Sequence, residues 1–202
     1  MTATQGGVGV LLAGGRGVRM GAEVPKALVH LEGRTLLAYA IATLRACVAR
    51  VLVVAPETLD LGDLADVTRV ADPPGETGPL GALVAGLTAA AGEEALVLAV
   101  DLPCVTPEAL RALRDARGEA VAVIAASEGR PQPLAGWYTA AAVAPLADVW
   151  RSGARAVVPA VLGIGARAVA TDTLPGRPDD WHNVNTPDDL ARVAAHLAER
   201  VG

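Results

Sequence analysis

The sequence predicts an α/β domain, a mostly parallel sheet with helices on both faces. Three observations point there. Short apolar runs alternate with helix-period segments along all 202 residues. Two of the helical segments open on Thr-Pro caps, Thr106-Pro107-Glu108 and Thr186-Pro187-Asp188-Asp189. The first apolar run empties into Gly14-Gly15-Arg16-Gly17, where open α/β sheets bind ligands, at the carboxyl end of a strand.

Each element follows from its pattern. Val8–Ala13 reads as a buried first strand. Residues 35–48 carry Leu37, Ile41, Leu44 and Val48 on one helical stripe. Arg50–Ala55 and Val67–Ala71 read as the second and third strands. Pro79–Ala91 is a small-residue helix, weakened by Gly81 and Gly86 but able to pack closely. Ala95–Val100 is the most apolar strand and is expected near the centre. Thr106 caps the next helix. Ala120–Ala126 and Leu134–Tyr138 read as strands, Thr139–Trp150 as helix, and 166–171 as a short strand. Thr186 opens a last helix with Leu190, Val193 and Leu197 facing in. Residues 56–66 and 172–180 read as surface connections. No linker divides the chain, so one domain over 1–202 is expected.

Composition excludes several functions. The net charge is −5 and no basic run occurs, which argues against a nucleic-acid partner. The least polar stretch, Gly78–Gly92, contains Pro79 and Thr88 and stops at Glu93-Glu94, short of the ~20 residues of a membrane span. No basic leader region precedes the first strand, and Cys47 and Cys104 suggest neither a disulfide framework nor a metal pair. A cytoplasmic setting is the expectation. Sixteen arginines stand against one lysine, Lys26, and the only asparagines are Asn183 and Asn185. Under such a bias the surviving lysine and asparagines mark places where Arg or Asp would not serve.

The glycine loop aims backbone N–H groups and the cations Arg16, Arg19 and Lys26 at one spot, as an anion site requires. It lacks the G-x-x-x-x-G-K-[ST] spacing of a P-loop. It also misses the dinucleotide fingerprint: Gly15 and Gly17 are followed by Gly21, one position late, and no acid lies at the required distance. The charge suits a triphosphate better than a pyrophosphate diester.

The stretch L-A-G-G-x-x-x-R-M-G, then a lysine and a short L-x-G, resembles the signature of NTP-activating nucleotidyltransferases. "GPLGAL" at 78–83, "VDLPCVTPEAL" at 100–110, "QPLAGWY" at 132–138 and "NVNTPDDL" at 183–190 narrow it. Together they resemble molybdenum cofactor guanylyltransferases over nearly the whole chain. The resemblance implies a three-layer, Rossmann-like α/β/α nucleotidyltransferase fold. It also implies an activity: GMP transfer from GTP to molybdopterin, giving the dinucleotide cofactor and pyrophosphate, with Mg²⁺ required. It leaves room for transient contacts with other proteins of molybdenum-cofactor synthesis.

By the same resemblance, Leu12, Ala13, Gly14 and Gly15 contact the nucleotide through their backbone. Arg19 and Lys26 neutralise the β- and γ-phosphates, Asp101 holds the metal, and Asp72 and Gly78 lie beside the nucleotide. Asn185 faces the metal or the acceptor, and Gln132 lies toward the acceptor. Two departures stand out. Ala55 occupies the place of a family asparagine, and one extra residue precedes the lysine. Residue chemistry alone reads some positions differently. Asp72 also suits an Asp-Pro turn, Asn185 an Asx turn before Thr186, His182 a satisfied histidine, and Cys104 plain packing. The reaction needs no protein nucleophile, because a phosphate monoester carries ~1.5–2 negative charges near neutrality. Positioning and charge stabilisation are then the protein's work. Alternatives are a cytidylyltransferase of the molybdopterin or isoprenoid type, whose loop is similar, and a nucleotide-binding protein without catalysis.

Overall fold

The computed structural model describes residues 6–14, 24–62, 67–73 and 78–201. The strands are β1 (Val8–Leu12), β2 (His30–Leu31), β3 (Arg34–Thr35), β4 (Arg50–Ala55), β5 (Val67–Ala71), β6 (Ala95–Ala99), β7 (Ala122–Ser127), β8 (Arg130–Tyr138) and β9 (Arg167–Ala170). The helices are α1 (Leu36–Arg45), α2 (Gly78–Ala89), α3 (Pro107–Asp115), α4 (Val143–Arg151), α5 (Val157–Gly163) and α6 (Pro187–Val201). A seven-stranded sheet has the order β5-β4-β1-β6-β8-β7-β9, and β2 and β3 form a separate small ribbon. Within the seven-stranded sheet β8 alone runs against its neighbours, β6 and β7; the other pairings there are parallel. This is the expected α/β architecture.

The period of two along each strand divides the core. Leu11, Leu96, Leu98 and Trp137 face a cluster built with α1, α3 and α6. Val8, Val10, Val97 and Tyr138 face the opposite cluster, built with α2, α4 and α5. α2 lies unusually close to the sheet. A Cβ at Gly86 would collide with Val10 and come within 3.0 Å of Val54 Cγ2, so this glycine, which weakens the helix, allows its approach. The caps expected at Thr106 and Thr186 form, their hydroxyls accepting from Ala109 N and Asp189 N, and Thr35 caps α1 in the same way, accepting from Ala38 N.

Several features depart from the sequence expectation. β8 begins at Arg130, not Leu134, and pairs antiparallel with β7 through the turn Glu128-Gly129, whose φ values are 50° and 73°. Two successive positive φ angles make the hairpin turn that matches strand twist. Glu32-Gly33, with φ of 47° and 77°, makes the same turn between β2 and β3. α5 was not anticipated, because it is short and no side chain caps it. The expected helix from Thr139 starts as a 3₁₀ turn at Ala140–Ala142 before α4, and the 172–180 connection runs into the 3₁₀ turn Pro178–Trp181.

Strand order places the site. From β1 the chain passes first to β4 on one side and later to β6 on the other, so β1 and β6 flank a topological switch point. Ala13 N donates to Val54 O and Val100 N to Leu12 O, which carries this edge one residue beyond the strands.

Candidate active site

At that edge Lys26, Asp101 and Asn185 converge from three distant parts of the chain. Lys26 opens the 3₁₀ turn Lys26–Leu28, which leads into the β2–β3 ribbon and α1. Asp101 follows β6. Asn185 ends the loop before α6. Lys26 Nζ donates to Asp101 Oδ2 and to Asn185 Oδ1, each at 2.8 Å. The Lys26 and Asp101 side chains are only 13% and 18% exposed, so solvent screening of this pair is limited. Asp101 Oδ1 is buried and has no hydrogen-bond partner among the described residues. An unmatched buried carboxylate oxygen is unfavourable unless something else completes it.

Asn185 is held in place by the helix it precedes. Asp189 Oδ2 accepts from the N–H groups of Asn185 and Thr186, at 2.9 and 2.8 Å, while Thr186 Oγ1 accepts from Asp189 N at 3.2 Å. This is a capping box with aspartate in the third position. Burial acts to raise the Asp189 carboxyl. The Asn185 N–H, the Thr186 hydroxyl and N–H, and Arg192 outweigh it and hold it below its ordinary 3.8. With its backbone bound by Asp189, Asn185 leaves its side chain free for Lys26. Val184 N donates to Asp101 O at 2.9 Å and joins the two loops directly.

A second group lies across β1. Asp72 leaves β5, with its N–H bonded to Ala55 O, and reaches Gly14: a Cβ there would be 2.9 Å from Asp72 Oδ2. A side chain at position 14 would therefore displace the Asp72 carboxylate. Asp72 Oδ1 is buried without a partner among the described residues, and burial lifts its carboxyl above the ordinary 3.8. Ala55 is fully buried and offers this group no polar side-chain atom. Gly78 opens α2 with φ of 63°, and a Cβ there would lie 3.8 Å from Arg155 O. Gly15, Arg16 and Arg19 lie outside the described residues; Leu12, Ala13 and Gly14 bring β1 to their threshold.

On the other side of Asn185 is a cavity of about 560 Å³, lined among others by Ser127, Arg130, Gln132, Thr171, His182 and Asn183. Gln132 does not reach Lys26. Its Nε2 donates to Trp181 O at 3.5 Å, and its Oε1 is buried and unpaired among the described residues. It sits where the β7–β8 register slips between Ile124 and Ala125. His182 is satisfied by Asp179 and Arg192. Cys104 and Cys47 are buried, and burial pushes both thiols up to about 11, so both are packing residues. Among the described residues, no three His, Cys, Asp or Glu side chains gather as a metal cluster. No described helix is long and apolar enough to cross a membrane.

Two features escaped the sequence reading. The reciprocal role of Asp189 was written in the T-P-D-D spacing, a capping-box pattern. The pairing of Lys26 with Asn185 had no local signal.

Comparisons with known proteins identify the family. Residues 9–164 match the family model of the MobA-like NTP transferase domain. The chain is 34% identical to the probable molybdenum cofactor guanylyltransferase of Chloroflexus aggregans, over 94% of each chain. It is 40% identical to the molybdenum cofactor guanylyltransferase of Acidiphilium cryptum, over 92% of this chain and 93% of that one. In fold it matches molybdopterin-guanine dinucleotide biosynthesis protein A from Archaeoglobus fulgidus with a TM-score of 0.80 at 22% identity, covering 95% of this chain and 99% of that chain. The chain belongs to the MobA-like NTP transferase family and is a nucleotidyltransferase.

Proposed function

We propose that this nucleotidyltransferase transfers GMP from GTP to the phosphate of molybdopterin and releases pyrophosphate, with Mg²⁺ as cofactor. The observation that carries the proposal is the convergence of Lys26, Asp101 and Asn185 at the switch point of the sheet. The guanylyl and molybdopterin specificities rest on relatives of that name at 34–40% identity over nearly the whole chain.

Asp101 fits a divalent ion. Its Oδ1, unpaired among the described residues, is a hard oxygen donor, and Mg²⁺ is ordinarily held by one or two carboxylates together with substrate phosphates. Bound there with Asn185 beside it, the ion would supply charge neutralisation at the α-phosphate. The chain's own residues do the remainder. Lys26, with Arg19 from the glycine loop, holds the β- and γ-phosphates and stabilises the negative charge of the departing pyrophosphate. The backbone of Leu12, Ala13 and Gly14 positions the nucleotide against the end of β1, and Asp72 and Gly78 border it.

The acceptor enters from the cavity beyond Asn185. Its phosphate oxygen forms the new bond to the α-phosphorus as the bond to the β-phosphate oxygen breaks. A dianionic phosphate is already a sufficient nucleophile, so no side chain has to remove a proton.

The test is transfer of label from α-³²P-labelled GTP, CTP and ATP to molybdopterin, with Mg²⁺ present. Labelled dinucleotide from GTP alone is expected. Labelling from CTP in preference to GTP would overturn the guanylyl assignment, and transfer to another acceptor but not to molybdopterin would overturn the acceptor.

A further inference from the structure

Behind the site is a buried cluster of charged side chains that the reaction does not use. Asp180, in the 3₁₀ turn Pro178–Trp181, is 2% exposed and His196 on α6 is 6% exposed. Asp180 Oδ1 lies 2.6 Å from His196 Nε2 and 3.2 Å from Arg200 Nη1. Its Oδ2 accepts from Arg177 N at 2.9 Å. The same Arg200 Nη1 donates to Cys104 O at 3.0 Å. One carboxylate and one guanidinium thus tie α6 to the loop that follows Asp101 and to the loop that leads to Asn185.

The connection to the site is short. Asp180 is followed by Trp181 and Val184, 2% and 0% exposed, which pack in the same core cluster as Leu102 and Cys104. Val184 N bonds Asp101 O, and the next residue is Asn185, whose side chain meets Lys26. Packing alone would fill this space. A buried charged group is often no more stabilising than apolar side chains of the same volume. Hydrogen bonds add direction, and here they fix where the 176–185 loop lies relative to the 101–104 loop.

We propose that Asp180 is a positioning residue: through Arg200 and His196 it sets Asn185 against Lys26 and Asp101, without touching substrate itself. Its catalytic consequence rests on the function proposed above; its geometric content does not. The chain has only two asparagines and two glutamines, so its side-chain carboxamide NMR signals form a small, assignable set. Lys26→Met defines the shift of the Asn185 carboxamide when its hydrogen bond to Lys26 is lost.

In Asp180→Asn, the Asn185 carboxamide signal is expected to move toward its Lys26→Met position while melting stays cooperative. In the same variant kcat is expected to fall about 10–100-fold, with KM for GTP within about twofold, as misplacement of a reacting group produces. Adding Asn185→Ala to Asp180→Asn is expected to lower kcat no further, since both remove one contribution. An unmoved Asn185 signal, or losses that multiply, would overturn the proposal. If the full-length wild-type protein transfers no nucleotide, the proposed function fails and the carboxamide shift still decides the positioning. If Asp180→Asn does not fold, Arg200→Met serves, because Arg200 is 34% exposed and leaves Asp180 with His196. The same shift, reduced, is expected there, and an unshifted signal would overturn the proposal equally.

Discussion

Lys26 and Asp101 form an ion pair at 2.8 Å across 75 positions of sequence, and the same ammonium reaches Asn185. The lysine stands where a positive charge is wanted on the carboxylate. A metal-bound nucleotide would bring both a competing cation for Asp101 and phosphates for Lys26, so the pair is expected to part as both ligands arrive.

Removing the lysine therefore has two opposite effects. Lys26→Met should lower kcat/KM for GTP by about 10²-fold, through loss of a charge on the leaving group. The same substitution should tighten Mn²⁺ binding to the nucleotide-free protein about fivefold, the worth of one partly exposed ion pair. Titration of Mn²⁺ by electron paramagnetic resonance reads the second effect. Equal Mn²⁺ affinity in both proteins would mean that Lys26 does not guard Asp101.

Asp101→Asn keeps the shape of the side chain and removes its charge. Turnover should fall by about 10²–10³-fold or more while the circular dichroism spectrum and cooperative melting are retained. A folded variant with wild-type turnover would remove Asp101 from the metal role.

Asp72 should carry a stability penalty. Its carboxyl is raised above 3.8 by burial, so below that pH both folded and unfolded chains are protonated and no penalty exists. As pH rises through the folded value, the carboxylate weighs against the folded state. Asp72→Asn is thus expected to raise the melting temperature by about 1–3 °C at neutral pH and to leave it unchanged near pH 3. Its GTP affinity should fall about 10–100-fold, the loss of one hydrogen bond to a charged group. Scanning calorimetry at both pH values, with and without GTP, checks both.

Asp189 behaves with the opposite sign. Its carboxyl is held below 3.8, so its contribution is complete above that value and is lost as pH falls through the lower folded value. Asp189→Ala should lower the melting temperature at neutral pH by about 2–4 °C, the worth of one helix cap, and the difference should close in acid. Because Asp189 also binds Asn185 N, transfer should slow as well.

How much of this was legible in the sequence depended on the range of each interaction. The strands β1, β4, β5 and β6 were legible because each is a short apolar run followed by a breaker. The caps at Thr106 and Thr186 were legible because a cap is a local pattern. Lys26 and Asn185 stood out as rare residues in an arginine-rich chain, and Asp101 as a carboxylate ending the most apolar strand. The reversal of β8 was written in Glu128-Gly129, but the apolar run at 134–138 drew attention past it. α5 contains Pro159 and Gly163 and has no cap, so nothing local announced it. The Asp180–His196–Arg200 cluster depends on partners 16 and 20 positions away, chosen only when α6 docks. Long-range choice of this kind leaves no spacing to read.

The central claim is that a triphosphate and its divalent ion meet at the Lys26–Asp101–Asn185 corner. A crystal structure of the protein with GTP and Mg²⁺ tests it most directly. The account predicts Asp101 Oδ1 on the ion and Lys26 turned onto the β- or γ-phosphate. Nucleotide bound elsewhere, with the Lys26–Asp101 pair still closed, would contradict it.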